Sequence, residues 1–241
     1  AELLGIDYRF ETRVAVEDDT LYLIGEGDPS LMIDDLHALA EQTALRAPLA
    51  DVRRIVVDDT AFAAPRFGPG YDPEDTGAAY QAPVGALSLN FNTVEVLGGG
   101  TPTIYPPSTA VDVMHDPKAQ PHAWSHEGED GHTVVEVGGL RRGHKIRRRV
   151  SDPGMFTGGA FAHVLSELTD AEPLRVERGA APPTAEVLAT HQSETLPSIL
   201  EPALTYSNNF TSEQVLLTLA WRASGEPATF EAGQAVLERF V

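Results

Sequence analysis

A hydroxyl and a carboxamide stand two residues apart in the sequence TYSNNF at 205–210, directly before an apolar helical pattern. At the entrance of a helix, the side chains of Ser207 and Asn209 can point into one cleft. There the hydroxyl can relay a proton while the amide donates a hydrogen bond to a substrate carbonyl. Ser and Asn are also the residues that helix caps and turns favour. Taken alone, the segment therefore indicates a turn more strongly than a catalytic site.

Four histidines lie among acidic residues in the segment 115–132, and a metal site must be considered there. His122 and His126 have His-x3-His spacing, but they lie in a Gly- and Pro-flanked loop, and the segment matches no zinc pattern. A solvated loop is the better interpretation. A Ser–His–Asp triad of Ser207 and His191 is equally weak, because any serine can be paired in a chain with eight histidines. We predict no metal and no cofactor.

The run from Arg141 to Arg149 contains six of the 17 Lys and Arg residues of the chain. Such a run could bind an anionic polymer. An exposed hairpin whose arginines pair with an acidic surface is the favoured interpretation, because the chain as a whole is strongly acidic.

The composition narrows the protein class. The chain has 241 residues, a formal net charge of −19, 42% hydrophobic and 22% charged residues, which is typical of a folded protein. The acidity disfavours general nucleic-acid binding. The lack of cysteine excludes disulfides, thiolate metal sites and cysteine nucleophiles. No apolar run approaches the roughly 20 residues of a membrane-spanning helix.

Hydrophobic periodicity predicts the elements that position these residues. The first half of the chain is predicted to contain strands at 8–16, 20–24, 55–57 and 84–97, with a helix over 30–45. Residues 63–83 are rich in Gly, Pro and aromatics and are predicted to form a long ordered loop, a type that is often functional. Short strands follow to residue 150.

The last third of the chain is predicted to be helical, with helices at 156–168, 196–204, 211–223 and 230–241. The third of these has the best start signal, because Thr211 and Gln214 have capping-box spacing ahead of an apolar stretch.

Several segments together resemble one family, the class C penicillin-binding proteins, which are D-alanyl-D-alanine carboxypeptidases and endopeptidases acting on peptidoglycan. The most specific is YQAPVGALSLNFN at 80–92, in which Gly85 stands where the family commonly has Ser. LLGIDYRFET at 3–12 and LYLIGEGDPSL at 21–31 resemble the sequence after the family's nucleophile helix, and Ser207-Asn208-Asn209 resembles its S-x-N motif. The matches come in the family's order and cover nearly the whole chain.

The resemblance implies an α+β fold, with mostly β inserted domains and helices from a split penicillin-binding (β-lactamase-like) domain. It places residues 1–9 and 204–241 in a partial transpeptidase-like domain. An inserted domain comprises 10–88 and 150–203, and a small all-β module at 89–149 is nested in it.

The resemblance also implies roles. Ser207 would help shuttle a proton to the departing D-Ala nitrogen, and Asn209 would orient the acyl group. In relatives, aromatic and acidic residues of the insertion recognise the peptidoglycan side chain, and the matching positions are Tyr71, Glu74, Asp75 and Tyr80. The implied enzyme is a serine-type carboxypeptidase or endopeptidase of the periplasm or cell exterior. It acts on peptidoglycan stem peptides through an acyl-enzyme that β-lactams trap.

Two of the three family motifs are missing. Neither Lys118 nor Lys145, the only lysines, follows a serine by three positions or precedes Thr-Gly, so S-x-x-K and K-T-G are absent. A serine nucleophile needs an adjacent base. The chain alone is therefore predicted not to acylate, and we interpret it as the middle of a longer enzyme or a degenerate member.

Two alternatives remain. The first is a non-catalytic module that binds peptidoglycan or a partner. The second is a metal-binding β protein that uses the histidines of 115–132. Neither alternative involves nucleic acid.

Overall fold

The computed structural model describes residues 3–47, 49–63, 66–68, 71, 77–128 and 131–239. These residues form an α+β structure, which confirms the predicted fold class. The strands are β1 (Glu11–Glu17), β2 (Thr20–Gly25), β3 (Arg54–Asp58), β4 (Thr93–Leu97), β5 (Thr103–Tyr105), β6 (Val111–His115), β7 (Ala123–Glu127), β8 (Thr133–Val137), β9 (Lys145–Arg149), β10 (Arg175–Arg178) and β11 (Glu186–Gln192). The helices are α1 (Ile33–Arg46), α2 (Pro153–Thr169), α3 (Leu196–Thr205), α4 (Asn209–Ser224) and α5 (Phe230–Leu237).

A five-stranded mixed sheet has the order β10-β3-β2-β1-β11. Strand β1 is antiparallel to β2 and β11, whereas β2, β3 and β10 run parallel. Helices α1 and α2 pack on this sheet. Gly158 lets α2 approach β3 closely, because a methyl group at that position would collide with the side chain of Val57.

The segment between β3 and α2 forms two smaller sheets. Their orders are β5-β4-β9 and β6-β8-β7, with β6 and β8 parallel. One apolar cluster contains Leu23 of the large sheet, Phe156 of α2 and Val94 and Val135 of the small sheets. The small sheets therefore share a core with the large sheet.

The strand predicted over 84–97 is wrong in its first part, because β4 begins only at Thr93. Leu87 and Leu89 are fully buried, as in a strand. The backbone, however, turns through a short 3₁₀ segment, Asn90–Asn92, in which all three residues have positive φ. Alternate apolar residues are therefore buried in this segment although it does not form a strand.

Helices α4 and α5 cover a second apolar cluster. Phe210 and Leu217 of α4 pack there with Phe62, Val84 and Ala86. Full burial of such side chains contributes about 1.5–3 kcal/mol each. The start of α4 is consequently fixed against the segment that precedes β4. No helix within the described residues is long and apolar enough to cross a bilayer.

Candidate active-site cleft

Helix α4 is capped by Asn208, and the predicted capping box of Thr211 and Gln214 is wrong. The Asn208 Oδ1 atom accepts a hydrogen bond from the backbone N–H of Thr211 at 3.2 Å. Thr211 is buried inside the first turn, and Gln214 is completely buried. An asparagine is as good an N-cap as Ser or Thr, so the helix begins at Asn209, two residues before the predicted start at 211.

The buried Gln214 side chain instead joins α4 to the segment before β4. Its Nε2 donates to the Gly85 carbonyl and to Ser88 Oγ, both at 3.0 Å, while the Gly85 N–H donates to its Oε1 at 3.2 Å. Gly85 is itself tightly enclosed, since a Cβ atom would lie 2.9 Å from Pro153 and 3.0 Å from Arg66. No local sequence pattern indicated this connection, because its partners lie far apart in the chain.

Ser207 and Asn209 lie in the wall of one open cleft of about 340 Å³. Ser207 has a φ of 52°, and this left-handed residue turns the chain from α3 into α4. Both residues are exposed. Within the described part of the chain, neither the Ser207 hydroxyl nor the Asn209 carboxamide has a hydrogen-bond partner. Both groups are therefore open to a ligand.

Tyr80 reaches the same cleft from the long loop that precedes β4. Its side chain is 70% exposed, and Tyr206 beside Ser207 is 81% exposed. The structure thus brings together Ser207, Asn209 and Tyr80, three of the six residues predicted for the site.

Tyr71 contacts α4 one turn after Asn209. Its hydroxyl donates to Glu213 Oε1 at 2.8 Å, while Glu213 Oε2 is buried and has no hydrogen-bond partner among the described residues. Burial raises the pKa of Glu213, and burial together with the Glu213 carboxylate raises the pKa of Tyr71. Tyr71 therefore ties its loop to the helix of the cleft. Glu74 and Asp75, the other predicted residues of this loop, lie outside the described residues.

Phe91 in the cleft wall belongs to three consecutive left-handed residues, with φ values of 50°, 56° and 52°. Left-handed backbone costs roughly 1–2 kcal/mol per residue other than glycine. Side-chain amides hold the turn: Asn90 Oδ1 accepts from Ile33 N at 2.9 Å, and Asn92 Nδ2 donates to the Pro83 carbonyl at 2.8 Å. Backbone strain of this kind clusters at functional sites, and the sequence analysis did not identify this turn.

The histidines of the segment 115–132 lie away from this cleft. His115 and His122 line a separate cavity of about 350 Å³ beside Trp124. The hydrogen bond of the His126 ring to the Glu127 carbonyl raises the pKa of His126, and the Glu136 carboxylate at 3.2 Å adds to this effect. No group of three potential metal ligands occurs among the residues that the structure describes.

The weak triad of Ser207 and His191 is not assembled. His191 lies on β11, with Nε2 at 3.6 Å from the buried Asp28 Oδ2 and Nδ1 at 3.9 Å from Asp35. Ser207 lines the cleft at the start of α4 instead.

The basic run is not the predicted exposed hairpin, because a turn leads into β9, which pairs antiparallel with β4, and β5 to β8 lie between these two strands in the sequence. Lys145 Nζ binds Glu95 Oε2 at 2.8 Å. The guanidinium of Arg148 donates to the Ala123 carbonyl, and that of Arg149 donates to the Gln81 carbonyl at 3.3 Å. Arg147 lines the cleft of Ser207 and Asn209.

Comparison with known proteins gives a consistent match over the whole chain. The sequence model of the D-Ala-D-Ala carboxypeptidase 3 (S13) family matches residues 1–241. A D-alanyl-D-alanine carboxypeptidase of Actinomadura sp. (strain R39) is 28% identical over 269 residues, covering 98% of this chain and 50% of the relative. The chain therefore spans half the length of that relative.

Solved structures show a similar fold. Penicillin binding protein 4 (dacB) from Haemophilus influenzae matches with a TM-score of 0.75 and 19% identity, covering 99% of this chain and 59% of that one. A second structure of that protein, complexed with a novel beta-lactam, matches with a TM-score of 0.66 and 17% identity over 99% of this chain and 57% of that one.

Proposed function

The chain belongs to the D-Ala-D-Ala carboxypeptidase 3 (S13) family, and from this premise we propose that it is part of a serine-type D-alanyl-D-alanine carboxypeptidase or endopeptidase. The complete enzyme trims peptidoglycan peptides. A serine attacks the penultimate D-Ala carbonyl, the terminal D-Ala leaves as an amine, and water hydrolyses the acyl-enzyme. This chain supplies the S-x-N element, whereas the nucleophile and its lysine base come from elsewhere in the protein.

Ser207 and Asn209 have complementary tasks in this reaction. A hydroxyl both donates and accepts a hydrogen bond, so Ser207 can pass a proton to the leaving nitrogen. The Asn209 amide can donate to the acyl carbonyl and hold it for attack. Tyr80, with Tyr71, Glu74 and Asp75 of its loop, is proposed to contact the side chain of the peptide.

One observation carries the proposal: Asn209 is the only one of the chain's four asparagines whose carboxamide has no hydrogen-bond partner among the described residues. The other three, Asn90, Asn92 and Asn208, each bond to backbone groups. The uncommitted amide lies beside the free Ser207 hydroxyl in one cleft. This is the arrangement expected of an S-x-N motif that faces a substrate.

The partners follow from the same proposal. The substrates are peptidoglycan stem peptides, and β-lactams trap the acyl-enzyme of the complete protein. The site of action is the cell envelope, in the periplasm or outside the cell. The 241-residue chain by itself is proposed to be inactive, because it contains neither S-x-x-K nor K-T-G.

Labelled penicillin tests this function in the protein expressed with its native flanking sequence. We expect a covalent adduct that the 241-residue chain does not form. Ser207→Ala should slow acylation by about 10²–10⁴-fold, the usual contribution of a proton-transfer group. Ser224→Ala, at the opposite end of α4, is the control and should acylate normally.

Absence of an adduct in the flanked protein would contradict the enzyme and favour a peptidoglycan- or partner-binding module. An adduct whose rate is indifferent to Ser207 would remove the role assigned to the S-x-N element.

A further inference from the structure

An exposed tryptophan forms one wall of the cavity on the sheet β6-β8-β7. Trp124 is 46% exposed, and the centroid of its indole ring lies 4.5 Å from that of the His122 imidazole ring, with the ring planes tilted by 40°. Met114 and Trp124 both stand opposite Glu136 in the strand register, so these three side chains cross the sheet in one row. The row and the loop after β6 enclose a space of about 350 Å³ that opens to solvent.

Backbone hydrogen bonds hold the loop after β6 against the end of β8. The Asp116 N–H donates to the Val137 carbonyl, and the Gly138 N–H donates to the His122 carbonyl, both at 3.0 Å. Gly138 has no room for a side chain, because a Cβ atom would lie 2.1 Å from the Gln120 carbonyl oxygen. The fold alone therefore shapes the cavity.

Several polar groups of the cavity wall are left for a ligand. His122 Nδ1 lies 2.8 Å from the Gln120 carbonyl, and because a carbonyl only accepts, this nitrogen carries the proton and Nε2 of the neutral ring is an acceptor. Glu136 uses Oε1 for His126, and its Oε2 has no partner in the described part of the chain. The same is true of the Trp124 indole N–H. Donors and acceptors therefore surround an aromatic surface.

This combination fits a neutral sugar better than an anion or a protein segment. A pyranose ring presents a face of C–H groups that can stack on an indole, and hydroxyls that both donate and accept hydrogen bonds. Asp116 and Glu136 repel an anion, and among the described residues no lysine or arginine lines the cavity to offset them. An apolar protein segment would bury these carboxylates and the neighbouring imidazoles without partners, which is unfavourable.

We propose that the cavity beside Trp124 binds the glycan strand of peptidoglycan through its neutral N-acetylated sugars. This inference rests on the proposed function and adds to it a second contact with the same polymer, whose peptide enters the cleft of Ser207 and Asn209. The cavity and the cleft have no lining residue in common among those that the structure describes. The glycan site is therefore separate from the groups that act on the peptide.

Strand β9 connects the cavity to the cleft. Ser125, the neighbour of Trp124 on β7, is buried, and its Oγ donates to the Arg149 carbonyl at 2.7 Å. Arg147 of the same strand lines the cleft. The spacing between the two sites is thus set by packed strands, so sugars and peptide of one polymer can be held at a fixed separation.

Tetra-N-acetylchitotetraose, a neutral chain of N-acetylglucosamine units, tests the site by calorimetry on the protein with its native flanking sequence. Trp124→Ala should weaken binding of this sugar about tenfold, as expected when one stacked ring is lost. Trp124→Phe keeps an aromatic ring and should lie between. Leu168→Ala is the matched control, because Leu168 is 44% exposed on α2 and lies outside the cavity. It should bind the sugar like the unmodified protein.

No binding at millimolar sugar concentration, or equal binding by Trp124→Ala, would overturn the glycan site. Sedimentation of the same proteins tests the other occupant. If Trp124→Ala abolishes self-association while the sugar does not bind, this face is an interface between copies of the chain and the glycan site is wrong.

Turnover separates this inference from the proposed activity. For a soluble D-Ala-D-Ala peptide without sugars, Trp124→Ala should keep kcat/KM within about twofold, whereas release of D-Ala from intact peptidoglycan should fall by about the same factor as sugar binding. Sugar binding that is lost in Trp124→Ala supports the site even where labelled penicillin does not mark the protein. Penicillin labelling without any sugar binding leaves the enzyme and removes the site.

Discussion

Two polar regions of this molecule use their charges in opposite ways. Where β3 and β10 end, the buried Asp59 accepts hydrogen bonds from Arg66 Nη2 at 2.6 Å and from Arg178, which also binds Asp152 at 2.6 Å. Burial acts to raise the pKa of Asp59, but the two guanidiniums outweigh it and hold the pKa below its usual value. Every charge of this cluster has a partner within the chain, so its task is to join strands and α2.

In the cleft at the start of α4 the corresponding groups have no partners. Ser207, Asn209 and Arg147 are exposed and unbonded among the described residues. Exposed polar groups of this kind bond to water rather than to the chain, and a ligand in the cleft can replace that water. The difference teaches that the charges around Asp59 have partners inside the chain and hold its elements together, whereas the polar groups of the cleft remain open to a ligand.

The largest expected effect on stability comes from disrupting the hydrogen-bonded cluster around Asp59. Asp59→Ala removes the common acceptor, so that Arg66 loses its carboxylate and Arg178 keeps only Asp152. Breaking a buried ion pair typically costs about 3–5 kcal/mol, and the lower end is expected here because both guanidiniums are partly exposed. Urea denaturation should show this loss in the free energy of unfolding at pH 7. Because the pKa of Asp59 is lower in the folded state, its contribution is present above the unfolded value of about 3.9 and is lost as pH falls through the folded value.

Glu172→Ala provides the control for that measurement, because Glu172 is exposed and has no ion pair among the described residues. It should change stability by less than about 0.5 kcal/mol. A similar loss in both variants would mean that the Asp59 cluster is not a stabilising junction.

The adjacent residues Asn208 and Asn209 test the same difference between a bonded and an unbonded side chain, with a smaller expected effect on stability. Asn208→Ala removes the cap of α4 and should cost about 1 kcal/mol in the free energy of unfolding. Asn209→Ala should leave that free energy within about 0.5 kcal/mol, yet slow penicillin acylation about 10²–10³-fold, the usual cost of losing one donor to the reacting carbonyl. Urea denaturation and labelling measure the two effects.

Each asparagine variant is the control of the other. Equal destabilisation by both would show that Asn209 is a structural residue, and equal acylation by both would remove its catalytic role.

Sequence patterns predicted the helices, which depend on local signals, but the last third of the chain was predicted to be helical and also contains β10 and β11. The helix predicted at 156–168 corresponds to α2 (Pro153–Thr169), and the one at 30–45 corresponds to α1 (Ile33–Arg46). Periodic apolar residues identify such helices because a single face packs on the sheet. The S-x-N segment was also visible, since its residue types and spacing are local.

Features that depend on distant partners could not be predicted in this way. The turn Asn90–Asn92 persists because its amides bond to Ile33 and Pro83, so the apolar pattern around it wrongly indicated a strand. Arg147 looked like any other residue of a basic run. Only the β4–β9 register shows that Lys145 takes the nearby carboxylate and leaves Arg147 facing the cleft.

Glu213 combines features of the two regions, because one of its carboxylate oxygens is hydrogen-bonded and the other is not. Its substitution is expected to have the smallest effect. Its Oε1 accepts a hydrogen bond from the Tyr71 hydroxyl, but its buried Oε2 has no partner in the described part of the chain, and burial raises the pKa of Glu213 in the folded state. A carboxyl group with a raised folded pKa lowers stability once pH exceeds its unfolded value of about 4.3. Ionisation of Glu213 therefore lowers the stability of the fold, whereas ionisation of Asp59 raises it.

Glu213→Gln keeps an acceptor for Tyr71 and abolishes this titration. The urea midpoint of the variant should exceed that of the unmodified protein at pH 7, and the difference should vanish below about pH 3, where the carboxyl is protonated in both states. Glu226→Gln, at an exposed position after α4, should show no such pH dependence. A lower midpoint for Glu213→Gln at pH 7 would mean that the folded protein stabilises the charged carboxylate, and Glu213 would then belong with the satisfied cluster of Asp59 rather than with the open groups of the cleft.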